Sequence, residues 1–196
     1  MSNNNTRGTG LLESFLSQQR AKLADSKIPN KHRKGRILDI GCGSNPYFLI
    51  QTSFEEKYGI DYSLKENSKY KGIHLIKDGL ESKLPFPDNN FDTVTMLAVF
   101  EHIEPTELPT LMSEVRRVLK KDGIFILTTP CVWTDGLLRL LAKLNVVSKE
   151  EIEEHKGAYS HKDLRRYLNK GGFKDNNIEL GYFELWMNNY AKATKK

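Results

Sequence analysis

Short runs of apolar residues recur along the chain and alternate with stretches in which apolar residues repeat at helical spacing. Ile37, Leu38 and Ile40 form the first run, and residues 124–128 form a near-continuous one. Runs of this kind, rich in β-branched residues, are typical of strands buried in a parallel sheet. Strands that alternate with helices imply right-handed crossovers between parallel neighbours. The pattern therefore predicts an α/β fold built on a mostly parallel sheet.

The same pattern assigns the elements in chain order. Helices are predicted over residues 11–23, 47–53, 63–69, 105–120, 136–147 and 160–171, and strands over residues 36–40, 56–60, 73–77, 91–96, 124–128, 173–180 and 182–191. The last two strands are expected to pair antiparallel at the edge of the sheet. Residues 1–10 are predicted to be a disordered tail, and residues 11–196 a single domain without internal repeats.

Composition narrows the class of protein. With 38% hydrophobic and 28% charged residues among 196, the chain has the balance of a globular domain. No segment reaches the ~18–20 apolar residues that span a bilayer. The polar start MSNNNTRGTG lacks a signal-peptide pattern, so we predict a cytoplasmic protein. The net charge of +5 is scattered along the chain, which argues against nucleic acid as a partner.

A glycine-rich turn follows the first predicted strand. Gly41 and Gly43 flank Cys42 where the strand must turn sharply into a helix, and Pro46 suits the first turn of that helix. Glycine accepts a positive φ and, because it lacks a Cβ, lets a ligand approach the backbone closely. A strand, a glycine turn and a helix start together form a corner of the kind that binds nucleotides.

Three aspartates lie at predicted strand ends, where open parallel sheets bind ligands. Asp61 lies 20 residues after Gly41 (61 − 41), the spacing at which a carboxylate can accept hydrogen bonds from ribose hydroxyls. Asp78 closes the third strand and could accept from an adenine amino group. Asp39 lies beside the glycine turn, where it could hold a ligand's ammonium group. Asp61 or Asp78 alone could be an ordinary turn residue. Both, however, are predicted at strand ends on the same edge of the sheet as the glycine turn, which favours a role in ligand binding.

These features, in this order, resemble the class I S-adenosylmethionine-dependent methyltransferases. The matching stretches are LDIGCGSNP (38–46), YGIDYS (58–63), KDGLESKLPFPDNNFDTV (77–94), FEHI (100–103), SEVRRVLKKDGIFILTTP (113–130) and SHKDLRRYLNKGGF (160–173). The last stretch resembles the small-molecule branch that includes quinone-biosynthesis methyltransferases. The resemblance implies a Rossmann-like, doubly wound, seven-stranded sheet with an antiparallel edge strand, helices on both faces, and S-adenosyl-L-methionine as the cofactor.

The resemblance also implies a set of cofactor contacts. They are Asp39, Gly41 and Gly43 for the methionine part, Asp61 for the ribose, Asp78 and Gly79 for the adenine, and the main chain at Leu97 and Ala98 for the methyl group. Two departures from the family pattern bear on this set. Asn45 and Pro46 replace a further glycine of many relatives, which leaves the detailed turn open. Ala98 replaces a carboxylate that helps to bind a metal in some quinone O-methyltransferases, so no metal site is predicted.

Methyl transfer from a sulfonium is an in-line displacement, so the protein mainly has to align the acceptor and exclude water. An oxygen acceptor would also need a general base. His102 is the first candidate, because it follows the strand end beside the methyl group, and Glu101 could orient it or contact the substrate. A capping or packing role stays open for both residues.

Candidate substrate contacts lie in the segments that relatives place over the acceptor pocket. They are Phe100, Trp133, His155, Tyr159 and His161. Trp133 and the leucine-rich stretch 137–144 could roof an apolar pocket, or the stretch could simply cover the sheet. Cys131 follows Pro130, but this pair follows the fifth strand rather than the fourth, so a buried structural thiol is expected and not a nucleophile.

The sequence therefore predicts transfer of a methyl group to a small-molecule or lipid-like acceptor, with oxygen slightly favoured. The alternatives are a methyltransferase acting on RNA or protein and a non-catalytic cofactor-binding module. A nicotinamide-dependent oxidoreductase is disfavoured, because the third glycine of the dinucleotide fingerprint is missing. The identity of the acceptor and the oligomeric state stay open.

Overall fold

The computed structural model describes residues 11–65, 69–79, 83–134 and 156–196. In these ranges the helices are α1 (Leu11–Ser26), α2 (Tyr47–Gln51), α3 (Leu108–Val118) and α4 (His161–Lys170), with short 3-10 helices at Asn30–Lys34, Phe100–His102 and Asp175–Asn177. The strands are β1 (Arg36–Ile40), β2 (Glu56–Ile60), β3 (His74–Ile76), β4 (Phe91–Leu97), β5 (Leu119–Pro130), β6 (Ile178–Phe183) and β7 (Asn188–Thr194).

The strands of the described ranges form one seven-stranded sheet in the order β3-β2-β1-β4-β5-β7-β6. β1 to β5 pair parallel with one another, and β7 runs antiparallel to both β5 and β6. The chain moves outward from β1 to β3 and then returns to β4 on the other side of β1. The strand order thus reverses between β1 and β4, which is where open α/β sheets form their ligand crevice.

Both faces of the sheet are covered by helices. On one face, Phe125 and Leu127 pack with apolar residues of α3 and α4. On the other face, Ile124 and Ile126 pack with apolar residues of α1 and α2. Successive side chains of a strand point to opposite faces, so one apolar run on β5 contributes to both cores. This explains why residues 124–128 are apolar with almost no alternation.

A capping box and a close helix contact position α4. Ser160 Oγ accepts a hydrogen bond from Asp163 N at 3.3 Å, and Asp163 Oδ2 accepts one from Ser160 N at 3.1 Å. These two bonds satisfy free N–H groups at the helix start. At the other end, a Cβ on Gly171 would come within 2.4 Å of Met112 Cβ. Glycine therefore lets α3 and α4 pack closely.

The predicted fold class, a mostly parallel seven-stranded sheet with antiparallel pairing near its edge and helices on both faces, is confirmed. The last strand of the chain, β7, lies between β5 and β6. This insertion brings the start of β7 next to the carboxyl end of β5, with Thr129 opposite Asn189 and Pro130 opposite Asn188.

The predicted boundaries of the last two strands are wrong. β6 begins later than residue 173 because Asp175–Asn177 form a 3-10 helix, and β7 begins later than residue 182 because residues 184–187 form the turn before it. Glu184, Leu185 and Trp186 all have positive φ in this turn. Bulky residues rarely adopt that conformation, so the sequence carries no local signal for a turn here.

Other predicted elements differ in extent or cannot be compared. Residues 63–65 and residue 69 are not helical, so the described part of the predicted helix over residues 63–69 is wrong. The predicted tail over residues 1–10 and the predicted helix over residues 136–147 lie outside the described residues. Within the described ranges, no helix combines the length and the apolar character that crossing a bilayer would need.

Candidate cofactor and acceptor site

The carboxyl ends of the parallel strands meet at one rim of the sheet, and the glycine turn after β1 lies at the centre of that rim. Gly41 and Gly43 have φ of +73° and +69°. A Cβ on Gly41 would come within 2.3 Å of Val99 Cγ2, from the segment after β4. Glycine is therefore required at position 41 for two independent reasons, backbone conformation and close packing.

Gly43 differs from Gly41 in what surrounds it. A Cβ at this position would meet only Asn45 O, at 4.0 Å, among its neighbours. The backbone of Gly43 thus has open space beside it, while its positive φ still favours glycine. This combination leaves the peptide turn accessible to a ligand.

Asp61 ties the glycine turn to the end of β2. Its Oδ2 accepts a hydrogen bond from Gly43 N at 2.9 Å. Its Oδ1 accepts from Ser63 N at 2.7 Å and from Ser63 Oγ at 2.5 Å. The side chain is buried. Asp61 therefore holds the turn in place, and its contact with a ribose stays a prediction.

Asp39 is a buried acid directly beneath the turn. Its Oδ1 accepts a hydrogen bond from Thr95 Oγ1 at 2.7 Å, and Thr95 lies opposite it on β4. Burial raises the pKa of Asp39 to about 7, a shift that the bond from Thr95 opposes and the nearby Asp61 reinforces. Asp39 can therefore gain or lose a proton near neutral pH, and a cationic group in the turn would favour its ionised form.

The third predicted cofactor aspartate lies further out. β3 ends at Ile76, so Asp78 lies in the loop beyond the strand rather than at its last residue. Asp78 is exposed and Gly79 is half-buried. Their predicted contact with an adenine ring stays a prediction.

The backbone after β4 bends into an unusual conformation. Ala98 has a φ of +55°, and its N–H donates to both Thr128 O and Thr128 Oγ1 at 3.1 Å. A left-handed conformation outside glycine costs of order 1–3 kcal/mol and persists where the surroundings enforce it. Here β5 enforces it through Thr128. Leu97 and Ala98, the predicted neighbours of the methyl group, thus lie on a tightly held bend.

Glu101 lies in the 3-10 helix that follows this bend. It is 2% exposed, and its Oε2 has no hydrogen-bond partner among the described residues. Burial raises the pKa of Glu101, although the charge of His102 partly opposes the shift. His102 ends the same 3-10 helix and is half-buried. The two predicted catalytic residues therefore occupy the rim beside Ala98, with Glu101 the more enclosed.

Phe100 and Tyr159 pack against each other beneath this part of the rim. Their rings meet edge to face, with centroids 4.8 Å apart. Phe100 is fully buried and Tyr159 is 4% exposed. Burial raises the pKa of Tyr159 to about 12, so its hydroxyl keeps its proton at neutral pH. Both predicted substrate residues thus form a wall of the site, and their contact with an acceptor stays a prediction.

Trp133 contacts the β6–β7 turn, and His161 contacts β6. Trp133 is 54% exposed, and its Nε1 donates to Trp186 O at 3.1 Å. His161 stacks on Tyr182 with ring centroids 4.1 Å apart. Trp133 is therefore partly exposed at the rim, and its contact with an acceptor stays a prediction. His155 lies outside the described residues.

The thiols fit the structural role predicted for Cys131. Cys42 and Cys131 are both buried and free. Burial raises the pKa of Cys131 to about 11 and also raises the pKa of Cys42. Neither thiol is therefore ionised at neutral pH. In the described part of the chain, no cluster of His, Cys, Asp and Glu side chains could hold a metal ion.

Sequence reasoning missed the polar residues that support the site from neighbouring strands. They are Thr95 under Asp39, Ser63 under Asp61, Thr128 under Ala98, and Thr129 and Asn189 on the β5–β7 pair. A threonine inside an apolar strand is a weak signal that could have pointed to Thr95 and Thr128. No local pattern identifies Asn189, because its position opposite Thr129 arises from the pairing of β7 with β5.

The chain is similar to several curated methyltransferases. Over 101 residues it is 34% identical to a sterol 24-C-methyltransferase of Gibberella zeae, a match covering 46% of this chain and 26% of that protein. Over 103 residues it is 33% identical to a demethylmenaquinone methyltransferase of Symbiobacterium thermophilum, covering 46% of this chain and 40% of that protein. The matches thus span between about a quarter and two fifths of the length of these relatives.

The fold is shared with solved structures. An S-adenosylmethionine-dependent methyltransferase from Thermotoga maritima superposes with a TM-score of 0.71 at 20% identity, over 95% of this chain and 92% of that chain. A family model described as a methyltransferase domain matches residues 11–178, which contain the glycine turn and every strand of the parallel part of the sheet. The resemblance to class I S-adenosylmethionine-dependent methyltransferases, and with it the predicted cofactor, is confirmed. The chain belongs to the methyltransferase domain family.

Proposed function

We propose that the chain transfers a methyl group from S-adenosyl-L-methionine to a small-molecule or lipid-like acceptor. The observation that carries the proposal is the corner formed by Gly41 and Gly43, tied to β2 by Asp61 and underlain by the protonatable Asp39. Within this proposal the partner is a small molecule and the location is cytoplasmic, as the sequence predicts.

The residues of the corner suit the cofactor. The open space beside Gly43 admits the methionine part against the backbone. Asp39, ionised by the approach of an ammonium group, would hold that group. Asp61, which already accepts hydrogen bonds from Gly43 and Ser63 at this corner, would accept one from a ribose hydroxyl. When bound, S-adenosyl-L-methionine supplies an electrophilic methyl group on a sulfonium, and no protein nucleophile is needed.

The residues beyond β4 would act on the acceptor. Alignment of an acceptor beside the bend at Ala98 can contribute ~7–11 kcal/mol to lowering the barrier. For an oxygen acceptor, His102 would remove the proton, which typically adds ~10²–10⁴-fold. The names of two relatives, a sterol and a demethylmenaquinone methyltransferase, support an acceptor that is a small, lipid-like molecule.

Two measurements test the proposal. Calorimetry should show binding of S-adenosylhomocysteine and none of NAD, because the corner lacks the third glycine that packs over a pyrophosphate. Incubation with methyl-labelled S-adenosylmethionine should then transfer label to a small-molecule extract and not to RNA or protein. Failure of S-adenosylhomocysteine to bind would overturn the cofactor assignment, and label on RNA or protein would overturn the acceptor class.

A further inference from the structure

Four buried polar side chains near the carboxyl end of β5 each carry an atom without a hydrogen-bond partner. The atoms are Glu101 Oε2, Thr129 Oγ1, Tyr159 Oη and Asn189 Oδ1, and they find no partner anywhere in the described ranges. The side chains are between 1% and 4% exposed. We call these four residues the polar cluster.

Strand pairing and loop contacts bring the polar cluster together. Thr129 and Asn189 are directly opposite each other on β5 and β7, so their side chains share a face. Asn189 Nδ2 donates to Tyr159 O at 2.8 Å. The charge of Glu101 acts on the Tyr159 hydroxyl. The Thr129 side chain lies near enough to the Glu101 carboxyl group to lower its pKa, although the Thr129 hydroxyl is too far away for a hydrogen bond of ordinary length. The backbone continues this contact, because Lys156 N donates to Glu101 O at 2.7 Å.

A glycine brings the Tyr159 hydroxyl against the backbone at the cluster. A Cβ on Gly157 would come within 2.5 Å of Tyr159 Oη. Glycine at position 157 therefore lets this hydroxyl pack in the place that a side chain would fill. The hydroxyl oxygen is screened from solvent.

Leaving such atoms unpaired is costly, because a buried donor or acceptor that loses water without gaining a partner destabilises the fold. The fold could avoid the cost with apolar residues of similar shape. Four unpaired atoms in one place, next to the bend that carries the predicted methyl position, are accounted for by a ligand that supplies the missing partners.

The chemistry of the four atoms defines that ligand. The donation of Asn189 Nδ2 to a carbonyl oxygen fixes the amide, so Asn189 Oδ1 can only accept. The Glu101 carboxylate also only accepts when ionised, and the two hydroxyl oxygens can accept as well. The cluster therefore calls for a group with several hydrogen-bond donors on one atom.

The local charge points in the same direction. Glu184, in the β6–β7 turn, has a buried Oε1 that is also unpartnered in the described part of the chain. Arg20 of α1 acts electrostatically on both Glu101 and Glu184. His102 acts more strongly than Arg20 on Glu101, and burial still raises the pKa of both glutamates. A cation beside the two carboxyl groups would favour their ionised forms.

Resting on the proposed function, we propose that the polar cluster binds the amino head group of the methyl acceptor, so that the acceptor is an amine. An ammonium group offers three N–H donors on one atom and carries a positive charge, opposite to that of the ionised glutamates. A quinone ring or a hydrocarbon chain offers neither. Glu101 and Asn189 are the residues that distinguish these acceptors.

Before transfer the ammonium group must give up one proton, which the Glu101 carboxylate can take because burial raises its pKa. The lone pair of the amine then forms the new N–C bond to the methyl carbon as the S–C bond of the sulfonium breaks, which releases S-adenosylhomocysteine.

The product of the reaction tests this directly. Protein incubated with methyl-labelled S-adenosylmethionine and the low-molecular-weight fraction of a cell extract should yield a labelled product that a cation-exchange resin retains at pH 7. Label in the flow-through or the organic phase, or no labelled product, would overturn the inference. Binding of S-adenosylhomocysteine, measured in parallel, separates this failure from failure of the proposed function, which would abolish that binding as well.

Two conservative variants test the cluster without knowledge of the acceptor. Thr129→Val and Tyr159→Phe each remove one unpaired hydroxyl and keep the shape. Each should raise the Tm by about 2–4 °C and lower labelled-methyl transfer roughly tenfold. Thr93→Val is the matched control, because Thr93 is equally buried but its hydroxyl meets His32 Nδ1 at 3.3 Å. It should not raise the Tm and should leave transfer unchanged. If the two cluster variants had a lower Tm and unchanged transfer, the hydroxyls would only stabilise the fold and the inference would be overturned.

Discussion

Asp39 should make the stability of the protein depend on pH, and Asp39→Asn should remove that dependence. Burial raises its pKa from 3.8 to about 7 in the folded state. Between about pH 4 and pH 7 the unfolded chain has therefore released this proton while the folded protein still holds it. Stability falls with rising pH wherever the folded state binds more protons. The shift of about three pKa units corresponds to roughly 4 kcal/mol.

Because the raised pKa of Asp39 lowers stability as the pH rises, wild type and Asp39→Asn should differ in stability most at high pH. Asparagine is neutral at every pH and can still accept the bond that Thr95 donates at 2.7 Å. Wild type and Asp39→Asn should thus unfold with similar free energies near pH 4, and the variant should be more stable by up to roughly 4 kcal/mol above pH 7. Urea denaturation of the cofactor-free protein from pH 4 to pH 8 measures both curves.

An exposed acid provides the control for this experiment. The Arg117 guanidinium lowers the pKa of Asp88, so this group stabilises the fold at neutral pH and loses that effect as the pH falls. Asp88→Asn should therefore diverge from wild type in the opposite direction, losing stability at high pH. Parallel pH profiles of wild type and Asp39→Asn would refute the assignment of a raised pKa to Asp39.

The same titration links Asp39 to the cofactor. If the ionised carboxylate holds the ammonium group, binding below pH 7 must also release the proton of Asp39. The affinity for S-adenosylhomocysteine should then rise up to tenfold per pH unit and level off above about pH 7. Asp39→Asn should bind more weakly with a flatter profile. A flat profile in wild type would leave Asp39 as a buried acid without a role in binding.

Three further predictions concern the corner and the thiol. Asp61→Ala should weaken S-adenosylhomocysteine binding by ~1.5–3 kcal/mol in calorimetry, whereas Ser63→Ala, which spares the carboxylate, should have a smaller effect; unchanged affinity in Asp61→Ala would refute the ribose assignment. Gly41→Ala should lower the Tm, because its Cβ would lie 2.3 Å from Val99 Cγ2 at a φ of +73°; Val99→Ala should restore only part of the loss, and full restoration would mean that the backbone is unstrained. Cys131→Ala should leave methyl transfer intact, and the Cys131 thiol should resist iodoacetamide at pH 7, since its pKa is raised to about 11; rapid labelling would contradict this.

The glycine corner shows what local sequence can predict. β1, the turn at Gly41 and the start of α2 were predicted from adjacent residues, and the structure places them there. Each of these features depends on the conformational preference of residues that are neighbours in the chain. The position of Asp61 at the end of β2 could be predicted from its distance in sequence to Gly41, because a βαβ unit has a nearly constant length.

The region after β5 shows where such reasoning fails. The turn that contains Leu185 and Trp186 has no glycine, and β7 inserts beside β5 although β6 precedes it in the chain. Pairing over such a distance is decided by which edges and apolar faces remain available after the other strands have paired. No residue near the turn encodes that choice.

The sequence by itself determined the alternation of strands and helices, the glycine corner and the carboxylates at the strand ends, because these depend on periodicity and on short-range spacing. Only the tertiary structure decided which side chains from different strands lie next to each other. Glu101 and Asn189 are 88 residues apart (189 − 101), yet both lie near Tyr159, and β7 brings Asn189 there because it enters the sheet in reverse. Their environment, including the burial that raises the pKa of Glu101, is a property of packing, which residue order does not reveal.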